Sequence, residues 1–131
     1  MNGITDLDEL LRSMSPKLID KEFVFCTVFG ALVNYIELNP VATFVESEGL
    51  TLVLEKEVAE KAGLSFDGSY RQITLTVHSS LEAIGLTAAV ASKLASKDIS
   101  ANVIAAYYHD HIFVQTNKAE AAISALEEFN A

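Results

Sequence analysis

The sequence predicts an α+β fold, and the order of elements in its second half indicates which kind. Apolar and polar residues alternate over 70–77, as in a strand with one buried face. Apolar side chains then recur every four residues over 83–97, which is typical of a helix. Two apolar, β-branched runs at 101–108 and 111–115 indicate strands, and 118–129 again follows a helical pattern. The resulting order, β-α-β-β-α, is most of a ferredoxin-like βαββαβ unit.

The pattern also indicates how the layers pack. Ile73, Leu75 and Val77 share one face of the first strand, while Gln72 and Thr74 lie on the other. The helices present their apolar side chains on single faces. We therefore expect an antiparallel sheet with helices packed on one face.

The first half carries a less regular set of elements. A helical stripe over 7–14 ends before Ser15-Pro16, and the apolar run 22–29 predicts a buried strand. Residues 41–46 and 50–54 flank Ser47-Glu48-Gly49, which predicts a hairpin. A short helix over 55–62 is expected to end at Gly63. These elements predict a degenerate copy of the second-half unit with a rearranged order.

A polar stretch at 65–69 separates the two halves and predicts a linker. The predicted domains are therefore 1–64, a degenerate N-terminal unit, and 68–131, the regular C-terminal unit. Thr5 and Asp8 resemble a capping box at the start of the first helix.

Composition excludes several classes of function. The 131 residues carry 9 basic and 18 acidic side chains, a net charge of −9 that would repel nucleic acid. The longest apolar stretch, 23–33, is about half of the ~20 residues that span a bilayer. The single cysteine, Cys26, lies in an apolar run and indicates a core residue in a reducing, cytoplasmic protein. Because half of the residues are hydrophobic, we also expect surface to be buried between subunits of a homo-oligomer.

The turn into the second-half helix is the first candidate for a binding site. Ser79 and Ser80 precede Gly85, so small and polar residues lie where a strand leads into a helix. Free backbone N–H groups and the helix dipole at such a position suit a carboxylate. The alternative is an ordinary cap, in which a serine accepts hydrogen bonds from the first N–H groups.

Asp110 is the second candidate, expected at the corner between the strands 101–108 and 111–115. An aspartate at such a corner often bonds its own backbone and stabilises the turn. It could instead pair with an ammonium group bound near the helix start. A carboxylate site and an ammonium site together would suit a free amino acid.

Catalysis and metal binding are less favoured by the residues. His78, His109, Asp110 and His111 offer metal-ligand chemistry, but a corner would splay the two histidines and a site needs three or four converging ligands. His78 and Ser79 are neighbours on a strand and point to opposite faces, so the histidine is not placed to activate the serine. We expect no enzyme activity, no metal site and no cofactor. A metal-dependent enzyme centred on these residues remains an alternative.

Three stretches resemble a known family. Residues 44–54, 73–89 and 102–114, reading FVESEGLTLVL, ITLTVHSSLEAIGLTAA and NVIAAYYHDHIFV, are similar to small bacterial tandem ACT-domain proteins of unknown function. The second half is more distantly similar to the ACT domains of cytosolic arginine sensors and to the regulatory part of aspartate kinases. Within it, 84–87 resembles the sensors' Gly/Thr helix start and Asp110 stands at their acidic position, whereas His109 and His111 depart from their pattern.

This resemblance implies tandem ACT units of ferredoxin-like fold, homodimers and amino-acid binding at an interface. The expected function is a non-catalytic, cytoplasmic regulatory or sensor module for a free amino acid or similar small zwitterion, without nucleic-acid or membrane partners. The alternative is a structural or protein-interaction ACT module that has lost its ligand. The candidate ligand-binding residues are Ser79, Ser80, Ile84, Gly85, Leu86, Thr87 and Asp110.

Overall fold

The computed structural model describes residues 6–77 and 85–130. Two compact units make up the chain: residues 21–70 form one, and residues 1–20 together with 71–131 form the other. The predicted division at 1–64 and 68–131 concerns repeated units and stays a prediction. The compact units differ from it in grouping the first twenty residues with the C-terminal half.

The unit of residues 21–70 is a three-stranded antiparallel sheet with helical segments. It contains most of β1 (Pro16–Val28), a 3₁₀ helix (Leu32–Leu38), β2 (Ala42–Glu46), β3 (Gly49–Glu55) and α2 (Lys56–Lys61). The strand order is β2-β3-β1, and both pairs are antiparallel. The predicted hairpin is thus confirmed, and the connection from β1 to β2 contains the 3₁₀ helix.

Alternate residues of β1 and β3 form the core of this unit, which is completed by Ala59 of α2. Because these side chains share one face of the two strands, the helical segments pack on that face. The buried members are Val24, Cys26, Val28, Leu50, Leu52, Leu54 and Ala59.

Two glycines in this unit have clear structural reasons. Gly49 starts β3, and an ideal Cβ atom there would lie 2.6 Å from Thr27 Oγ1 and 3.1 Å from the Val28 carbonyl oxygen. Gly63 has φ +71 and follows α2, where the N–H of Leu64 donates to the Ala59 carbonyl at 3.0 Å. That bond closes a Schellman motif, so the predicted helix end at Gly63 is confirmed.

The other unit contains three longer helices and three further strands. Its elements are α1 (Leu7–Ser13), the start of β1, β4 (Tyr70–Leu75), α3 (Leu86–Ser96), β5 (Asn102–Ala105), β6 (Asp110–Gln115), α4 (Ala119–Glu127) and two 3₁₀ turns (Thr116–Lys118 and Glu128–Asn130). The strand order is β1-β4-β6-β5, with β5 and β6 antiparallel. The start of β1 lies beside β4, where Nε and Nη2 of Arg71 donate to the Ile19 carbonyl at 3.0 and 2.8 Å.

The core of this unit lies between one face of the sheet and α1, α3 and α4. The predicted alternation in β4 is confirmed for the core face, where Ile73 and Leu75 are buried, but Thr74 on the opposite face is buried as well. The predicted spacing of four in α3 is confirmed as well. Its buried residues are Leu86, Val90 and Leu94.

Several element ends differ from the predictions. β1 begins at Pro16, six residues early, because residues 16–20 lie beside β4. Asp6 is the N-cap of α1, and its Oδ1 accepts the Glu9 N–H at 2.9 Å; Thr5 of the predicted capping box lies outside the described residues. α3 is described from Leu86, and the predicted start at 83 lies outside the described residues. The corner between β5 and β6 also differs from the prediction.

No helix among the described residues is long and apolar enough to cross a membrane. Cys26 is buried, as predicted, and burial raises the pKa of its thiol.

Candidate functional site

The described part of the predicted turn is the start of α3. Gly85 is the N-cap residue, with φ +96, and no side chain among the described residues caps the helix there. Its carbonyl accepts the Ala89 N–H at 2.8 Å, the first bond of the helix. Within the described residues, the first N–H groups of α3 therefore have no side-chain acceptor. Ser79, Ser80 and Ile84 lie outside the described residues.

The two residues that follow Gly85 differ in their exposure to solvent. Leu86 is 4% exposed and belongs to the core, so only its backbone could meet a ligand. Thr87 is exposed. Gly85 itself packs against α1, because a Cβ atom there would lie 3.1 Å from Leu7 Cδ2. The glycine is thus explained by a positive φ and by packing, whether or not a ligand approaches it.

Asp110, the acidic candidate, lies directly after the corner rather than within it. Asp110 is the first residue of β6 and pairs with Ala105, so the corner consists of residues 106–109. The Ala106 N–H donates to the His109 carbonyl at 3.0 Å, which closes the turn between backbone groups. The predicted corner therefore shifts toward the N-terminus: β5 ends at Ala105 rather than at 108, and β6 begins at Asp110 rather than at 111.

Burial and two histidines act in opposite directions on the Asp110 carboxyl. Burial raises the pKa of Asp110, while the neighbouring His111 and His109 lower it by favouring the charged form. The side chain is half-buried, so it is accessible from outside the unit. A cationic group at this position would find a carboxylate that is poorly solvated, which strengthens an ion pair.

His111 is held in a hydrogen-bonded group on the sheet. Its Nδ1 lies 2.9 Å from Thr74 Oγ1 and 3.2 Å from Gln72 Nε2. An amide nitrogen can only donate, so Nδ1 accepts and the neutral ring carries its proton on Nε2. Burial lowers the pKa of His111, and His109 lowers it further, against the opposite effect of Asp110. The group thus favours a neutral imidazole.

The corner lies beside the end of β4. His109 Nδ1 is 3.4 Å from the carbonyl oxygen of Val77, the last described residue before the predicted binding turn. The corner also carries Tyr107 and Tyr108, whose rings meet edge to face at 5.0 Å and are 71% and 63% exposed. The hairpin therefore presents aromatic surface next to Asp110.

Sequence reasoning missed several of these residues. The alternation in β4 predicts that Gln72 and Thr74 lie on the face opposite the core. His111 of the neighbouring strand β6 lies on the same face, within hydrogen-bond distance of Thr74. The sequence thus indicated which face these residues share, but their contact with His111 could be predicted only with the register between β4 and β6. No pattern in the sequence linked Leu7 to Gly85. Among the described residues, no group of three or more metal-ligating side chains converges.

Two models of a known protein family match this chain. One model described as an ACT domain matches residues 2–71, and a second matches residues 68–128. The chain belongs to the ACT-domain family. It contains two ACT domains in tandem, which accounts for the α+β fold with ferredoxin-like units predicted from the sequence.

Solved structures support the same tandem ACT fold. A Vibrio cholerae protein of unknown function, described as a possible transport protein, is 62% identical, with a TM-score of 0.89 over 95% of this chain and 96% of that one. The regulatory subunit of aspartate kinase from Thermus flavus is 10% identical, with a TM-score of 0.68 over 89% and 97%. A protein from Agrobacterium tumefaciens is 15% identical, with a TM-score of 0.71 over 89% of each chain. At these low identities, the last two show the ACT fold alone. No curated protein matches the chain.

Proposed function

We propose that this ACT-domain protein is a non-catalytic regulatory module that binds a free amino acid or a similar small zwitterion and acts as a cytoplasmic homo-oligomer. Backbone N–H groups at the start of α3 would receive the carboxylate, and Asp110 would receive the ammonium group. The residues proposed to contact the ligand are Ser79, Ser80, Ile84, Gly85, Leu86, Thr87 and Asp110.

The observation that carries this proposal is the pairing of opposite electrostatic features within one compact unit. The α3 start has a positive helix end that no side chain of the described residues caps, and Asp110 offers a half-buried carboxylate beside the end of β4. Two hydrogen bonds to charged groups would contribute on the order of 1.5–3 kcal/mol each. Together the two bonds would contribute about 3–6 kcal/mol, which corresponds to dissociation constants from several millimolar to tens of micromolar, a range in which a metabolite sensor could respond.

A thermal-shift screen with the common amino acids at millimolar concentration tests the proposal. A ligand at about 100 times its dissociation constant adds about 2.7 kcal/mol to the free energy of unfolding. For a protein of this size, the melting temperature should then rise by several degrees. Asp110→Asn should abolish the rise, because the amide keeps the size of the side chain but removes its charge.

Asp67→Asn is the matched control, since Asp67 is exposed in the other compact unit. It should respond to the ligand like the unmodified protein. If no amino acid stabilises the protein, or if Asp110→Asn responds unchanged, the sensor proposal is wrong. The structural or protein-interaction alternative would then be favoured.

A further inference from the structure

We propose that Tyr107 and Tyr108 form two walls of a site for a methylated ammonium group, so that the preferred ligand is a zwitterion of the betaine type. The inference rests on the proposed function and deepens it, since it names the class of cationic group that would lie beside Asp110. A trimethylammonium group carries its positive charge without any N–H donor, and aromatic rings recognise such groups.

The two tyrosines occupy the tip of the hairpin formed by β5 and β6. The Ala106 N–H donates to the His109 carbonyl at 3.0 Å, so Tyr107 and Tyr108 are the two residues of the loop. Two-residue loops favour glycine, asparagine or aspartate, because the turns that suit them need positive φ angles. Neither tyrosine has a positive φ. Turn formation therefore does not explain tyrosine at either position, and such departures from local preference are expected at functional sites.

Burial does not explain the two side chains either. Tyr107 and Tyr108 are 71% and 63% exposed, and their rings meet each other edge to face. Single exposed aromatic residues are common on protein surfaces, but these two are in contact and form one aromatic patch at the tip. A ligand that covers the rings would remove this patch from water.

The geometry of the ring pair suits a single cation. The ring planes are inclined at 80° and the centroids lie 5.0 Å apart, so the rings form a corner with two nearly perpendicular walls. A cation is attracted to a ring when it lies within about 6 Å of the centroid. Because the two centroids are closer together than that distance, one ammonium nitrogen can meet the condition for both rings at once.

Asp110 supplies the opposite charge next to the tip. It begins β6 directly after His109, it is half-buried, and burial raises the pKa of its carboxyl. No lysine or arginine of the described residues forms an ion pair with it. A partly desolvated carboxylate attracts a cation more strongly than a fully hydrated one. The position therefore favours a cation that comes from outside the chain.

A methylated ammonium group fits this corner better than a primary one. A primary ammonium has three N–H donors, and each of them needs an acceptor. The His109 carbonyl at the tip already accepts the Ala106 N–H, and the exposed surface beside it consists of aromatic rings. A trimethylammonium group has no donor to satisfy and meets the rings through its methyl groups. Asp110 can balance its charge without a hydrogen bond.

A methylation series tests the ligand class. NMR titrations of the unmodified protein would give dissociation constants for glycine, sarcosine, N,N-dimethylglycine and glycine betaine. Affinity should rise with each methyl group, and betaine should bind about two- to thirtyfold more tightly than glycine, the range that cation–π contacts span. The control is 3,3-dimethylbutyrate, which has the shape of betaine with carbon in place of the charged nitrogen. It should bind at least about twofold more weakly than betaine.

Substitutions at the tip test which residues recognise the group. Tyr107→Leu and Tyr108→Leu should each weaken betaine binding by about two- to fivefold. The affinity for betaine relative to glycine should fall with it. Tyr107→Phe and Tyr108→Phe keep the rings, so these matched controls should bind betaine like the unmodified protein. Because both side chains are exposed, circular dichroism should show that all four variants keep the fold.

Tyrosine fluorescence gives a direct readout, because the chain has no tryptophan and four tyrosines. Betaine should change the emission of the unmodified protein when it covers the two rings. In the double variant Tyr107→Phe/Tyr108→Phe that change should disappear, although the dissociation constant measured by NMR stays the same. A purely structural role of the tip would not separate these two readouts.

The outcomes separate this inference from the proposed function. The tyrosine site is overturned if betaine binds no more tightly than glycine, if 3,3-dimethylbutyrate matches betaine, or if both leucine variants keep the affinity ratio. The proposed function then stands if an amino acid still binds and needs Asp110. Leucine variants that change the mass in light scattering but not the affinity would assign the tyrosines to a contact between copies and overturn the site as well. If no zwitterion binds, both proposals are wrong.

Discussion

Leu7 packs directly onto the backbone of Gly85, since a Cβ atom at Gly85 would lie only 3.1 Å from Leu7 Cδ2. The contact joins helix α1 to the start of α3, the helix end proposed to hold a carboxylate. A positive φ and the close contact with Leu7 therefore both favour glycine at position 85.

Gly85→Ala should destabilise the protein for two separate reasons. Its φ of +96 disfavours any side chain, at a cost of about 1–3 kcal/mol, and the new methyl group would press on Leu7. Gly63→Ala is the matched control, because Gly63 has φ +71 and no atom within 4 Å of its Cβ position. Denaturant unfolding should show a larger loss for Gly85→Ala than for Gly63→Ala.

Because Leu7 also packs against the core, Leu7→Ala has a cost of its own. The double variant Leu7→Ala/Gly85→Ala should therefore lose less free energy of unfolding than the sum of the two single variants. If Gly85→Ala and Gly63→Ala lose the same free energy of unfolding, the packing of Leu7 on Gly85 contributes nothing to stability.

Gly49→Ala should destabilise the β2–β3 hairpin through close approach. Its Cβ would lie 2.6 Å from Thr27 Oγ1, a distance that Cβ atoms essentially never adopt, and 3.1 Å from the Val28 carbonyl. A loss of about 1–3 kcal/mol is expected from overpacking. Thr27→Ala alone should be nearly neutral because Thr27 is exposed.

The double variant Thr27→Ala/Gly49→Ala should recover only part of that loss. The hydroxyl can be removed, but the backbone carbonyl of Val28 stays. Full recovery in urea unfolding would assign the whole effect to the Thr27 side chain and contradict the carbonyl contribution.

Asn130 should stabilise α1 from the far end of the chain. Its Nδ2 donates to the carbonyls of Met14 at 2.7 Å and of Leu11 and Arg12 at 3.3 Å, beside the last turn of α1. Asn130→Ala should cost about 1 kcal/mol and speed amide exchange in α1, because those carbonyls lose a donor. Asn117→Ala, at an exposed position, should leave both unchanged.

Asn130→Asp sharpens this test. A carboxylate has the size of the amide but cannot donate, so its effect should be at least as large as that of Asn130→Ala. Exchange rates in α1 that stay constant in both variants would show that Asn130 does not hold the helix.

His111 should make stability depend on pH near neutrality. Burial lowers its folded pKa, so the unfolded chain binds the proton more readily than the folded chain. The contribution is therefore fully present above the unfolded pKa of about 6.5 and is lost as pH falls toward the folded pKa. His111→Asn keeps an acceptor for Thr74 and does not titrate. Below pH ~6.5, the unmodified protein should lose stability relative to this variant.

The Asp110→Asn background checks the sign of that coupling. Asp110 favours the charged imidazole, so its removal should lower the pKa of His111 further and deepen the loss at low pH. Imidazole resonances in NMR titrations would measure the same pKa directly. A difference in stability that is constant across pH would contradict a lowered pKa of the half-buried His111 imidazole.

The fold was largely predictable because local patterns decide it. In β4, Ile73 and Leu75 alternate with polar residues, and in α3 the residues Leu86, Val90 and Leu94 recur every four positions. In each element, the face on which these apolar residues fall is the face that packs into the core. Gly63 follows the end of α2 because the chain there adopts a positive φ, which glycine adopts more readily than other residues. These are properties of short segments, and the sequence contains them.

The candidate site was only partly predictable, because its neighbours come from distant parts of the chain. The acidic residue and the glycine at the helix start could be named from their sequence context. The contacts of His111 with Thr74 and of Leu7 with Gly85 could not, since they depend on strand register and helix packing across long separations.

The sequence by itself determined the α+β class, the tandem ACT resemblance, the hairpin that turns at 47–49 and the acidic composition. Only the tertiary structure decided that residues 16–20 extend β1 beside β4, that Asp110 begins a strand rather than forming a corner, and that Tyr107 and Tyr108 meet at the tip between β5 and β6. Periodicity records which side of an element is buried, whereas strand order and register record which elements meet. The second kind of information arises only when the chain has folded.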